Sequence, residues 1–194
     1  WTALMIAADW KKISCLQILL DNGADPDIKN EKKGQTALML AAQRNNPDIV
    51  TELLSRGANP DIKDVGKGQT ALMLASQNNM PDIAAELLMK GANEKILNNA
   101  GKNALQLAEE GNNEDVVGFL EAWGDQETLN KALLTAAIKG RARLVYGLLR
   151  AGADLQATDE EGRTGLSLLN IGLMVAANEG SAENINIFIE AGAN

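Results

Sequence analysis

The chain has 194 residues, 45% of them apolar and 23% charged, enough apolar content for a packed core and too much for wholesale disorder. Its net charge of −8 repels phosphate backbones and anionic lipid, which argues against general nucleic-acid binding. Histidine is absent and cysteine occurs once, at Cys15, which excludes histidine-based acid–base and nucleophile chemistry, histidine-ligated zinc, a thiolate zinc cage and an internal disulfide.

In chain order, one segment keeps returning. Trp1-Thr2-Ala3-Leu4-Met5-Ile6-Ala7 is followed by Gly34-Gln35-Thr36-Ala37-Leu38-Met39-Leu40-Ala41, then by Gly68-Gln69-Thr70-Ala71-Leu72-Met73-Leu74-Ala75 and Gly101-Lys102-Asn103-Ala104-Leu105-Gln106-Leu107-Ala108. Weaker copies lie at Lys131–Ala136 and Gly172–Ala176. A glycine follows each landmark alanine by 16 residues, giving Gly23, Gly57, Gly91, Gly124, Gly152 and Gly192. Six matches at one offset define an internal repeat.

Each 16-residue stretch reads as two short helices. In the second copy, Thr36 is an N-cap and Leu38 and Ala41 share a face. Asn45-Asn46-Pro47 breaks that helix. Ile49, Val50, Leu53 and Leu54 form the buried stripe of the next, and Gly57 stops it. The segment from Ala58 to Gly68 is rich in turn residues. A single such hairpin cannot bury both faces, so neighbours must stack.

A repeat of about 33 residues with a turn and two helices resembles the ankyrin repeat. The family pattern Gly-x-Thr-Pro-Leu-His-x-Ala-Ala, then Leu-Leu-x-x-Gly-Ala-Asp/Asn, reads here as Gly34-Gln35-Thr36-Ala37-Leu38-Met39-Leu40-Ala41-Ala42 and Leu53-Leu54-Ser55-Arg56-Gly57-Ala58-Asn59. The resemblance implies an all-α solenoid of about six helix-turn-helix units joined by hairpin-like turns, at about 1–33, 34–67, 68–100, 101–124, 125–161 and 162–194. Pro-Leu-His is Ala-Leu-Met in three units, so Met5, Met39 and Met73 fill the histidine space by packing. Landmark alanines are spaced 34, 34, 33, 28 and 40 residues apart. The 28 marks an irregular junction at 124–130, where the hairpin is replaced by a long first helix from about Gln126 to Lys139. The 40 marks an insertion at 167–173, either two extra helical turns or a bulged loop. As a helix it keeps Leu166, Leu169, Leu173 and Ala176 on one stripe and sends Leu168 and Ile171 elsewhere.

No phosphate loop, calcium loop, zinc spacing or nucleophile elbow is present. No catalytic residue, metal ligand or cofactor is therefore assigned, and the chain is not read as an enzyme. Asp25/Asp27 and Asn59/Asp61, beside Pro26 and Pro60, read as turn chemistry in preference to a cation site. Cys15 occupies the slot of Ile49, Ile83, Val116 and Leu144 and reads as buried. The pairs Glu109-Glu110 and Glu160-Glu161 read as solvated charge.

The resemblance implies recognition of another protein through a concave face of turn tips and first helices, as a scaffold or targeting module. Matching positions are Trp1, Gln35, Gln69 and Lys102 before the caps, the exposed helix ends Trp10, Arg44 and Asn78, and the tip lysines Lys29, Lys32, Lys33, Lys63 and Lys67. The tips differ in charge: 29–33 sums to +2, 63–67 to +1 and 157–161 to −3. The alternative reading is a sensor of an anionic ligand at the lysine tips. Trp10 stands where other units carry Arg44, Asn78, Gly111, Lys139 and Glu179, so it is either an exposed anchor for a partner or a cover for the open end of the array. Trp123 is read as sealing the junction. Self-association is expected through open array ends or the 167–173 insert. No membrane insertion is expected, since no apolar run reaches the roughly 18 residues of a span. The chain is read as an intracellular piece of a longer protein, opening at Trp1 inside a repeat and closing at Gly192-Ala193-Asn194 without a polar capping unit.

Overall fold

The structure, a computed structural model, describes residues 1–178 and 180–193, with residue 183 described by its backbone. Among the described residues there are twelve helices, and the only β-bridge is the isolated pair Thr158–Thr164. Contacts divide the chain into two compact units, Trp1–Glu114 and Asp115–Asn194.

The first unit contains α1 (Ala3–Asp9), α2 (Ile13–Asp21), α3 (Ala37–Gln43), α4 (Pro47–Ser55), α5 (Ala71–Gln77), α6 (Pro81–Met89) and α7 (Ala104–Glu110). First helices pack in a row, α1 on α3, α3 on α5 and α5 on α7. Second helices pack behind them, α2 on α4 and α4 on α6. Helices of seven residues are too short to persist in water alone, so capping and neighbours make them. Thr2, Thr36 and Thr70 hydroxyls accept the amides of Met5, Met39 and Met73, and Asn103 with Gln106 forms a reciprocal capping box. Each such cap contributes about 1 kcal/mol.

Helix α3 is buried from Ala37 to Ala42, with Met39 1% exposed, because it has a helix pair on each side. Met5 and Met73 are equally buried, which confirms that methionine fills the histidine space by packing. Asn45, Asn79 and Asn112 end their helices in the left-handed region, where asparagine is the non-glycine residue best tolerated. The buried Asn46 amide donates to the Ala8 carbonyl at 3.0 Å, and Asn113 donates to that of Ser76 at 2.8 Å. Each satisfies an orphan carbonyl of the preceding repeat. At Gly57, φ is +83°, and the Ala58 amide closes back on Leu53 at 3.0 Å, a glycine-dependent helix stop.

The second unit contains α8 (Glu114–Ala122, whose first residue is on the boundary), α9 (Gln126–Ile138), α10 (Ala142–Arg150), α11 (Gly165–Asn178) and α12 (Ala182–Glu190). Here α9 packs on α10 and α11, and α12 on α10 and α11. The first helices are long, 13 residues in α9 and 14 in α11, against seven in the first unit. Residues 125–130 form no tip: the Asp125 carboxylate caps α9 by accepting the Thr128 amide at 2.8 Å. The 167–173 segment is helical throughout; Leu169 and Ala176 are buried and Ile171 is exposed as expected, but Leu168 takes the buried place expected of Leu166. Leu168 and Leu169 are fully buried, while Leu166 is 39% exposed and Met174 73% exposed. The stripe is set by what α11 must meet on both sides, α9 and α12, and its narrowest point is Gly172. A Cβ there would stand 2.4 Å from the Phe188 ring and 2.8 Å from the Ala137 carbonyl oxygen. Glycine, unfavourable for an isolated helix, is what lets three helices approach.

This gives opposite signs to one substitution in two helices. Gly172→Ala should destabilise by about 1–3 kcal/mol through overpacking. Gly118→Ala in α8, whose Cβ would meet only Leu144 at 3.9 Å, should stabilise by up to about 1 kcal/mol through helix propensity. Urea midpoints of the two variants check the pair; a stable Gly172→Ala protein would refute the crossing geometry.

Candidate functional site

The turn tips of the first unit are built by backbone bonds. The Asn30 amide donates to the Gln35 carbonyl, Asp64 to Gln69 and Asn98 to Lys102, each at 2.9 Å. Tips are also tied to each other: the Val65 amide donates to the Lys33 carbonyl and the Asn99 amide to the Lys67 carbonyl, both at 2.9 Å. The lysine positions are thus fixed in register by main-chain bonds while their side chains face water. Lys32, Lys33, Lys63 and Lys67 are exposed, and none of them forms an ion pair among the described residues. Lys29 is exposed and donates its Nζ to the Lys63 carbonyl at 3.0 Å.

The acidic turn residues have a structural task. The Asp27 amide donates to the Asp25 carboxylate and the Asn59 amide to the Asp27 carboxylate, both at 2.9 Å. Asn93 donates in the same way to Asp61 at 2.9 Å. These carboxylates are engaged by amides within and between repeats, as turn chemistry requires. In the second unit the Asp154 amide finds Asn130 on α9 at 2.8 Å, so a helix residue supplies the acceptor. Nothing in the local sequence of Asn130 singles it out for that part.

Other expected contact residues are distributed differently. Gln35 and Gln69 are buried, at 6% and 4% exposure, which removes their side chains from the open face. Both sit inside their closed turns, and the Gln69 amide group donates to Gln77 at 2.7 Å. Arg44 is exposed but its Nε is 2.6 Å from Asp9, and Lys102 is paired with Glu110. The Asn78 side chain donates to the Leu74 carbonyl at 2.7 Å. Trp1 is 59% exposed and Trp10 67%. Trp123 packs on Phe119 with ring centroids 5.7 Å apart. Glu179 lies outside the described residues.

Cys15, expected in a buried slot, is exposed. Its counterparts Ile49 and Ile83, at 2% and 0% exposure, are covered by the helix pair before them. Among the described residues no pair covers α1 and α2 on that side. Cys15 instead lines an apolar concavity of about 520 Å³ with Ile6, Trp10, Lys12, Ile18 and Leu19.

A further groove, not anticipated from the sequence, lies within the second unit between α9 and the 157–163 tip, with a volume of about 620 Å³. Helix α9 contributes Glu127, Asn130, Lys131, Leu134, Thr135 and Ile138; the tip contributes residues 157–161 and Arg163. Arg163 lies 2.7 Å from Asp159 and 3.0 Å from Glu161. Desolvation pushes the Asp159 carboxyl up, but hydrogen bonds and charge from Arg163, with the Glu161 amide, outweigh it and hold the group below its ordinary range.

No group of three or more histidine, cysteine, aspartate or glutamate side chains suited to a metal occurs among the described residues. Nor is any helix among them long and apolar enough to cross a membrane.

Two measurements test these placements. Cys15 should react with a thiol reagent in the native protein at a rate close to that of the unfolded chain, and protection of more than about a hundredfold would place it back in a core. A depressed carboxyl contributes stability above its unfolded value and loses it as pH falls through the folded value. Arg163→Gln should therefore raise the Asp159 titration toward the ordinary carboxylate range and flatten the acid limb of the melting-temperature profile; identical limbs would refute the pairing.

No curated protein matches the chain. A family model described as ankyrin repeats (3 copies) matches over residues 1–64, 38–130 and 72–159, and with the paired, stacked helices this shows that the chain belongs to the ankyrin-repeat family.

Proposed function

We propose that the chain is a non-enzymatic recognition module that binds another protein through the face made by its turn tips and first helices. Ankyrin repeats are in general protein–protein interaction modules. The observation that carries the reading is the lysine-bearing row of tips, fixed in register by the Val65–Lys33 and Asn99–Lys67 main-chain bonds. A rigid row of exposed charges loses little entropy on binding and steers an oppositely charged partner during encounter. Lys29, Lys32, Lys33, Lys63 and Lys67 form the core of the proposed surface, with the exposed Trp1 and Trp10 as aromatic anchors for the partner. Arg44, Asn78 and Lys102, each engaged within the fold, border the surface. An intracellular site of action belongs to this reading, since the 194 residues carry one cysteine and no disulfide framework.

The second reading, a small or polymeric anion held by the same lysines, is favoured by their lack of internal ion pairs. Salt separates the two: affinity for an anionic polymer falls by orders of magnitude between about 0.05 and 0.2 M salt.

Reversing Lys29, Lys32, Lys33, Lys63 and Lys67 to Glu should leave the melting temperature nearly unchanged, since exposed turn charges contribute little to stability. Association with the partner should slow roughly tenfold or more, with a smaller change in dissociation. Surface plasmon resonance on partners captured from lysate measures both rates. Unchanged association with every captured partner would remove the lysine row from the binding surface.

A further inference from the structure

The groove on the second unit differs from the lysine tips in charge and in construction. We propose that this part of the tip-and-first-helix face takes a cationic segment of another protein, one in which Lys or Arg residues flank an apolar side chain. The inference rests on the reading of the chain as a protein-recognition module and assigns a chemistry to a surface that the lysine tips do not include.

Along α9, Glu127, Lys131, Leu134 and Ile138 share one face, since they are spaced by whole helical turns. The two extra turns of α9 extend that face opposite the tip, which gives the groove its length. Its floor is apolar: Leu134 is 8% exposed and Ile138 40%. Its rim is acidic. Glu160 and Glu161 are exposed on the tip, and the exposed Glu127 lines the groove from the helix. The one tip cation is committed to Asp159 and Glu161. Glu127 and Glu160 have no ion pair among the described residues, and even with Lys131 and Arg163 in the lining the groove keeps an excess of two carboxylates over cations.

This combination selects the occupant. An anionic segment meets like charge at the rim. A purely apolar one covers the floor but desolvates carboxylates without replacing their hydration. A segment with cationic side chains around an apolar one satisfies rim and floor together. Lys131, on the same face, can keep its stem along the floor and its ammonium in water.

The test uses the full chain and three fluorescein-labelled peptides of equal length: Arg/Leu amphipathic, the same with Glu for Arg, and the same with Ser for Leu. Anisotropy titrations are run at about 0.15 M salt, where long-range attraction to a net-negative protein is screened. Only the Arg/Leu peptide should bind well. The double variant Glu127→Gln/Glu160→Gln, isosteric and exposed, should weaken it about tenfold, and Ile138→Ser by a similar factor, with unchanged circular dichroism. Asp48→Asn/Glu94→Gln removes the same charge from the first unit and should leave affinity within about twofold. Equal loss in that control, no loss in the groove variants, or tight binding of the Ser peptide would each overturn the proposal. So would sedimentation showing that the groove is filled by a second copy of the chain. Charge reversal of the tip lysines should leave peptide binding intact, so failure of the lysine row and failure of the groove are read separately.

Discussion

Everything in this fold depends on one interface used repeatedly, the packing of a helix pair on the pair before it. A seven-residue helix is below the length at which its own hydrogen bonds sustain it. What stabilises α3 is burial on both sides, together with caps from Thr36 and the amide of Asn46 reaching back to Ala8. Each fully buried leucine in such an interface, Leu53 or Leu87 among them, contributes on the order of 2 kcal/mol. The contribution exists only while the neighbour is in place. Cys15 against Ile49 and Ile83 shows this within one molecule: the slot is the same, and its exposure is decided by whether a pair lies over it.

The same dependence explains how the surface is organised. Asx bonds and main-chain bonds between tips lock successive turns together in the first unit. They use up Asp25, Asp27 and Asp61 and leave the lysines, in excess over Glu31, as the charged side chains in water. In the second unit the lock is remade through Asn130, with Arg163 neutralising Asp159, and the carboxylates of Glu127 and Glu160 are left over. Two surfaces of opposite sign therefore arise from one turn chemistry, through which acidic groups each turn consumes.

Much of this was legible in the sequence. The repeat, the threonine caps, the glycine stops and the methionine packing are local or strictly periodic, and each requires a particular residue at a particular spacing. The long helix after Gly124 was legible too, since the segment lacks glycine and proline and opens with acidic residues suited to a first turn. The all-α ankyrin fold follows from these features alone.

Other features were decided only by tertiary structure. Gln35 and Gln69 look like surface residues by type, but the closing of each turn buries them. Leu169 and Ala176 on the α11 stripe were legible, but the choice between Leu166 and Leu168 was not, because the two are chemically equivalent until Phe188 and Ala137 fix which side is narrow. The acidic groove joins a helix face at 127–138 to a tip at 157–163, and no local pattern links the two. What the sequence by itself determined is what periodicity and local capping determine. What the fold decided is which of several equivalent side chains meets a neighbour, a choice made by packing at a distance along the chain.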